Sequence, residues 1–325
     1  MTWGVRPLLS REQIVAYLDR IGLPPSIIDD PPTLATLNTL QSAHLLSVPF
    51  ETTGIHLAEL DPSNADRPIA LREGEGYLSK LDFCYTRVVQ QRRGGFCFVL
   101  NTLFSALLRS WPTPFRVSDV GARTYLNRHQ DPTGLDYAWT PFSHFVMLVE
   151  VSDRRDTRFL ADVGFGGGAA DYAVPLDTDE TVSSIAGNYK YRMKKEKLPG
   201  HDVEQLPDMP EGYTLWRYFP ARDGESKSYW SPAYHLHAIS LTPIDFEVAN
   251  HYMATHKEQR FVNLLVASIL HRNGNRTSLL WEASTEQPCT LVEREGLTGQ
   301  VVKETQVEKT YGAVWHVLRD TFHFG

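Results

Sequence analysis

The stretch RRGGFCFVLNTLF, residues 92–104, sets two glycines, an aromatic and a cysteine ahead of an apolar run with helical spacing. Leu100, Leu103, Phe104, Leu107 and Leu108 fall on one side of that helix, and Pro112 and Pro114 end it. Gly94 and Gly95 tolerate backbone conformations that other residues resist, so the pattern predicts a sharp turn into a helix that begins at Cys97. A thiol there meets unpaired N–H groups and the positive end of the helix dipole, and both favour the thiolate. The plainer reading of the same residue is a small buried hydrophobe.

Upstream, Ser10-Arg11-Glu12-Gln13 reads as a capping box, followed by Ile14, Tyr17, Leu18 and Ile21 at helical spacing and a stop at Gly22 and Pro24. Leu34, Leu37, Leu40 and Leu45 suggest a second helix, closed by Pro49. Residues 55–80 read as irregular, so residues 1–115 form a helical unit that carries Cys97. Downstream the character changes. FRVSDVGARTYL (115–126), SHFVMLVEV (143–151) and TRFLADV (157–163) are rich in β-branched and aromatic residues and read as strands. TLWRYF (214–219) and YHLHAISL (234–241) read likewise, and the polar stretch 177–213 reads as long loops. Residues 258–283 predict a hairpin about Asn273-Gly274-Asn275, and YGAVWHVLRDTFHF (311–324) a closing helix.

Composition narrows the function. The chain has 325 residues, too many for one ordinary core, with 42% hydrophobic and 22% charged residues, as in soluble globular proteins. The net charge is −7, and the nearest approach to a basic block is RMKKEK (192–197), read as a solvated face; nucleic acid is not an expected partner. The start of the chain lacks a charged segment followed by an apolar one, and no run approaches 18 apolar residues. A cytoplasmic protein with no membrane partner is therefore expected. The three cysteines, Cys84, Cys97 and Cys289, are widely spaced and show no C-x-x-C pair, which predicts free thiols and no metal.

A cysteine nucleophile needs a base, usually a histidine held by a third polar group. Twelve histidines compete. His144 opens one predicted strand and Asp162 lies near the end of the next. A turn centred on Asp153 would make them cross-strand partners on one face. Cys97, His144 and Asp162 are thus a candidate triad, whereas His44, His235 and His237 read as structural. Their bland alternatives are a polar strand end for His144 and a turn residue for Asp162. Gly164-Phe165-Gly166-Gly167-Gly168-Ala169 loosely matches a dinucleotide fingerprint, but no helix follows it, since Pro175 comes soon after. A glycine-rich loop beside a triad suits close approach of a ligand to the backbone.

Taken together, VPFE (48–51), RRGGFCFVLN (92–101), Thr140-x-x-x-His144, LADVGFGGG (160–168), FEVANHYMATH (246–256) and the ending FHFG resemble the arylamine N-acetyltransferase family. The insertions near 55–85 and 177–213 resemble its fungal members more than its bacterial ones. The resemblance implies an α+β fold of papain-like Cys-His-Asp architecture. Its parts would be a helical bundle (1–115), a central β-barrel carrying His and Asp (116–230) and a C-terminal α/β lid (231–325). It assigns Cys97 as nucleophile, His144 as base and Asp162 as its orienter. Phe165, Gly166 and Gly167 would contact substrate, and Thr140 and Gly168 the acyl-CoA. Arg93 and Glu51 match a buried structural pair. The implied activity, of the kind used in xenobiotic metabolism, is ping-pong transfer of an acetyl, propionyl or malonyl group from acyl-CoA to an arylamine, arylhydroxylamine or hydrazine. A monomer or weak homo-oligomer is expected. A malonyl donor would need a cation near the pocket, for which Arg123 is the candidate. Val99 and Thr52 depart from the usual Glu or Gln and Asn at those positions, which puts local hydrogen bonds in doubt. Two other readings use the same residues: a cysteine hydrolase with this triad, and a non-enzymatic module with a dead one.

Overall fold

The computed structural model describes residues 5–57, 62–202, 204, 206–221, 227–282, 288–296 and 298–325. Helix α1 (Arg11–Arg20) starts at Ser10, whose hydroxyl accepts from the Gln13 N–H while the Gln13 side chain accepts from the Ser10 N–H at 2.8 Å. This is the reciprocal cap expected from the sequence. Helix α2 (Leu34–Ser47) begins after Thr33, whose side chain caps it, and stops before Pro49. A two-residue strand, β1 (Phe50–Glu51), and the short helices α3 (Thr53–His56) and α4 (Leu81–Tyr85) follow. Helix α5 (Cys97–Arg109) is buried along almost its whole length. Leu100, Leu103, Phe104, Leu107 and Leu108 are fully enclosed against Tyr17, Leu37 and Leu40. Each such side chain contributes about 1.5–3 kcal/mol by leaving water.

The second layer is a sheet of β2 (Arg116–Tyr125), β3 (Trp139–Glu150), β4 (Arg158–Ala161), β5 (Val174–Pro175), β6 (Val182–Ser183), β7 (Lys190–Glu196), β8 (Gly212–Phe219) and β9 (Tyr229–Ser240). Their order is β5-β4-β3-β2-β9-β8-β7-β6, and the pairings are antiparallel. Side chains alternate along β3. Phe145, Met147 and Val149 join the helical core, whereas Val146 and Leu148 point into a second core with Leu160, Val174, Tyr191, Met193 and Leu236. Residues from both ends of the sheet meet in that second core, so the sheet curls into a barrel-like layer. The Tyr191 hydroxyl donates to the Ala169 carbonyl at 2.9 Å across the gap.

Two expectations are corrected here. The polar region 177–213 contains β6 and β7 and is not loop throughout. The basic run lies partly in β7, where Tyr191 and Met193 turn inward between Lys190, Arg192 and Lys194; the adjacent, exposed Lys195 breaks the period of two and hides the strand. The boundary expected at residue 230 falls inside a strand, because β9 pairs with β2 as far as Ser240.

The remainder is helix α6 (Pro243–Thr255), helix α7 (Arg260–Asn263), strands β10 (Leu264–Leu270), β11 (Arg276–Glu282), β12 (Cys289–Arg294) and β13 (Val301–Val307), and helix α8 (Tyr311–Phe322). The β10–β11 hairpin turns where Asn273-Gly274-Asn275 predicts, with Gly274 at φ 82°. Helix α8 buries Val314, Leu318 and Phe322 against Leu265, Ala267 and Ile269. Strand β1, from the helical part of the chain, forms the edge of this sheet by pairing Phe50 with Ser268 and Glu51 with Ala267. No helix among the described residues is long and apolar enough to cross a membrane. No cluster of three His, Cys, Asp or Glu among them is placed to hold a metal ion.

Candidate active site

Cys97 is the first residue of α5 and is 2% exposed. The turn that precedes it differs from expectation. Arg92 takes the left-handed conformation, at φ 52°, and Gly94 and Gly95 do not. The two glycines are needed for closeness instead. A Cβ on Gly94 would strike the Pro49 carbonyl oxygen, and one on Gly95 would lie 2.6 Å from the Val99 Cβ. The valine that departs from the family pattern is therefore the side chain packed against Gly95. On the far side, a Cβ on Gly164 would lie 2.5 Å from the Cys97 Cα. The glycine loop thus presses directly on the start of α5.

His144 and Asp162 meet as expected, but by a different register. Met147 pairs with Ala161 and Leu148 with Leu160, so the same ladder sets Val146, not His144, opposite Asp162. The turn centre lies one residue beyond Asp153, and the contact is diagonal on a shared face. His144 Nε2 donates to Asp162 Oδ2 at 2.8 Å. With Nε2 so committed, Nδ1 is the ring nitrogen left for Cys97, whose thiol donates to the Ser143 carbonyl at 3.8 Å, one residue before His144.

Two further residues complete the arrangement, and the sequence did not single out either. Asp162 Oδ2 also accepts from the Tyr234 hydroxyl at 3.1 Å, and Oδ1 accepts from Asn101 Nδ2 at 2.9 Å and the Gly164 N–H at 2.8 Å. Asn101 Oδ1 accepts in turn from the Val163 N–H at 2.9 Å. Asn101 lies one helical turn after Cys97, which puts both on one face of α5; that spacing was the available signal. Nothing in YHLHAISL marks Tyr234 as reaching Asp162.

The electrostatics follow from this packing. Burial opposes a charged His144, but the Asp162 charge, its hydrogen bond and the contact with Cys97 outweigh it, raising the imidazole to about 10. Burial likewise opposes a charged Asp162. The His144 charge and the bonds from His144, Asn101 and Gly164 win, and the carboxyl is held below its usual value. Burial pushes the Cys84 thiol well up and the Cys289 thiol up to about 12. His44 and His235 fall to about 3, chiefly by burial, as suits structural residues.

Phe165 packs its ring 4.9 Å from that of His144 and 4.9 Å from that of Tyr234. Gly166, at φ 66°, lies against the Phe50 ring, and Gly168 against that of Phe165. The Gly167 carbonyl accepts from Arg217 at 3.3 Å. Thr140 holds the strand entrance, where its hydroxyl accepts from the Thr124 N–H at 2.8 Å.

Residues 33–323 match the family described as N-acetyltransferase. The chain is 26% identical over 297 residues to an arylamine N-acetyltransferase of Mycolicibacterium smegmatis, covering 86% of this chain and 90% of that one. The chain belongs to the arylamine N-acetyltransferase family. It is also 24% identical over 323 residues to the N-malonyltransferase FDB2 of Fusarium pseudograminearum, covering 93% of this chain and 86% of that one. Among solved structures, a variant of the Mycobacterium smegmatis arylamine acetyltransferase superposes with a TM-score of 0.68 at 22% identity, covering 96% of this chain and 92% of that one. The Mycobacterium marinum arylamine N-acetyltransferase in complex with CoA gives 0.65 at 21%, covering 96% and 92%.

One expectation drawn from the arylamine N-acetyltransferase resemblance is corrected. Glu51 pairs with Arg87, not Arg93: Glu51 Oε1 accepts from Arg87 Nη2 at 2.7 Å. Its other oxygen accepts from the Thr53 N–H at 2.6 Å and the Tyr77 hydroxyl at 2.7 Å. Arg87 Nε also donates to the Gly94 carbonyl at 2.9 Å, so the pair braces the loop before Cys97. Arg93 instead lies over the Trp315 and Phe324 rings, 5.3 and 6.0 Å from their centroids. Thr52 ties the chain after β1 to the start of β10: its hydroxyl donates to the Leu264 carbonyl and accepts from the Val266 N–H, both at 2.9 Å.

Proposed function

We propose that the protein is an acyl-CoA-dependent arylamine N-acyltransferase working by a ping-pong mechanism through an acyl-cysteine, with Cys97 as nucleophile, His144 as acid and base, and Asp162 as orienter. The observation that carries this reading is the His144 Nε2–Asp162 Oδ2 contact of 2.8 Å beside a thiol at the start of α5. An imidazole raised to about 10 is protonated at neutral pH, which favours a thiolate beside it.

In the first half-reaction the Cys97 thiolate attacks the thioester carbonyl carbon. The carbon–sulfur bond to CoA breaks, and the departing CoA thiolate takes the proton from His144 Nδ1. The Cys97 and Phe98 N–H groups, which precede the first N–H groups of α5 bonded to the Phe96 carbonyl, suit the oxyanion of the tetrahedral intermediate. In the second, the amine nitrogen attacks the acyl carbonyl, its proton passes to His144, and Cys97 leaves as thiolate. A thiol that is 2% exposed meets a thioester only after neighbouring side chains move. Phe165, Gly166 and Gly167 border that path on the substrate side. Thr140 and Gly168 are the proposed CoA contacts.

The test is CoA release from acetyl-, propionyl- and malonyl-CoA, each with and without an aminophenol. Continuous release that requires the amine supports the transferase. Continuous release without amine replaces it with a hydrolase. No release with any donor, together with alkylation of Cys97 no faster than that of Cys84 or Cys289, leaves a non-enzymatic protein.

A further inference from the structure

We infer that Arg128 selects an acyl donor whose acyl chain ends in a carboxylate, of which malonyl- and succinyl-CoA are the short members. The inference rests on the acyl-cysteine reading above and adds the class of donor. Arg128 lies between β2 and β3, and its guanidinium stands over the Phe165 ring, 5.5 Å from the centroid. That ring is the one packed 4.9 Å from the His144 imidazole. A cation therefore stands one ring away from the base.

Arg128 has no hydrogen-bonded or ion-paired partner among the described residues. Its charged neighbours have the same sign: burial, then repulsion from Arg260 and Arg217, lowers it to about 10, which still leaves it charged at neutral pH. The Asp171 carboxylate interacts with Arg276 and Arg217. In a chain of net charge −7, this locus is strongly positive and is placed beside the acylation chemistry. A guanidinium binds a carboxylate through two parallel N–H bonds, whereas the methyl group of an acetyl donor offers it nothing. Arg123, the cation that the sequence suggested, lies instead over the Phe142 ring, 4.4 Å from its centroid, and donates to the Thr140 carbonyl.

Two other anions compete for the same chemistry. The CoA diphosphate is held far from the thioester by the pantetheine arm, so it does not reach a cation at the acyl end. A carboxylate on the amine arrives only in the second half-reaction. The bond exchanged with Cys97 is the same thioester in every case, and the distal carboxylate takes no part in bond making.

The experiment is the burst of CoA released on acylation, followed without any amine, from acetyl-, propionyl-, malonyl- and succinyl-CoA. Wild type, Arg128→Met and Arg128→Lys are compared, with thermal melts to confirm that each variant folds. The wild type is expected to favour malonyl- or succinyl-CoA. Arg128→Met is expected to lower the malonyl-to-acetyl ratio of acylation efficiency roughly 10- to 100-fold, the effect of losing hydrogen bonds to a charged group. Arg128→Lys is expected to restore part of the ratio. A wild type that prefers acetyl-CoA overturns the inference and leaves the transferase standing. So does an Arg128→Met variant that slows every donor alike, or one whose ratio is unmoved. No burst with any donor overturns the acyl-cysteine reading and this inference with it.

Discussion

At the scale of single residues, Cys97 and Asp162 separate chemistry from folding. Cys97→Ala removes one small side chain, whose thiol donates to the Ser143 carbonyl at 3.8 Å. Acyl transfer is expected to vanish, and the melting temperature to stay within a few degrees. A variant with wild-type turnover would remove Cys97 from the mechanism. Asp162→Asn breaks a buried pair, for which about 3–5 kcal/mol of stability is expected to go, with a loss of activity on the order of a thousandfold or more. Denaturant melts and steady-state rates read the two separately. The pH dependence has a definite sign. His144 is raised from 6.5 to about 10 in the folded protein, so its contribution to stability is complete below pH 6.5 and fades as pH rises through about 10. Asp162 is lowered, so its contribution is present above the ordinary aspartate range and is lost as pH falls through its folded value. Wild-type melting temperature is expected to decline between pH 7 and 10, and Asp162→Asn to lack most of that decline. Parallel curves would count against the ion pair. Motif and spacing marked the three proposed triad positions in the sequence, because a cysteine after two glycines, a histidine opening a strand and an aspartate closing the next are chemically suggestive together. Tyr234 was illegible, since a tyrosine in a strand is ordinary and its hydrogen bond spans 72 residues.

At the scale of elements, helices α1, α2 and α5 were legible because their caps and apolar spacing are local properties. The β3–β4 ladder was legible in its pairing but not in its register. A count of residues on either side of a polar turn is easily off by one, and each such step moves the pairing by two. The face survived that shift, which is why His144 and Asp162 still meet. The glycines around Cys97 were recognised for the wrong physical reason: backbone freedom was expected, and contact distance is what the packing demands. This makes Gly164→Ala a sharp probe. Its methyl group would meet the backbone at Cys97 and the Asn101 amide, 2.5 and 2.9 Å away. Overpacking of this kind costs about 1–3 kcal/mol, and activity is expected to fall far more than the melting temperature, because the displaced element carries the proposed nucleophile. Unchanged kcat in a folded Gly164→Ala protein would contradict that placement.

At the scale of the molecule, the helical part, the barrel-like sheet and the terminal sheet converge on the start of α5. The two-residue β1 ties them: Phe50 pairs with Ser268, bridges to Gly95 and lies against Gly166. No periodicity marks a strand of two residues, so this junction could not be read from the sequence. Nor could the exchange of Arg93 for Arg87, because a motif gives residue type and neighbourhood but not which guanidinium turns inward. Arg87→Met leaves Glu51 buried and charged, and about 3–5 kcal/mol of destabilisation is expected; adding Glu51→Gln should recover part of it. A double variant as unstable as the sum of the two singles would show the pair to be uncoupled. The convergence also bears on time. Cys97 and His144 are 47 residues apart along the chain, and Tyr234 arrives later still, so the site belongs to the slow, non-local stage of folding. Cys84 and Cys289 are shut away with their own packing. A refolding chain sampled with short pulses of alkylating agent should therefore keep its own clock, with two thiols falling silent before the third becomes quick to react.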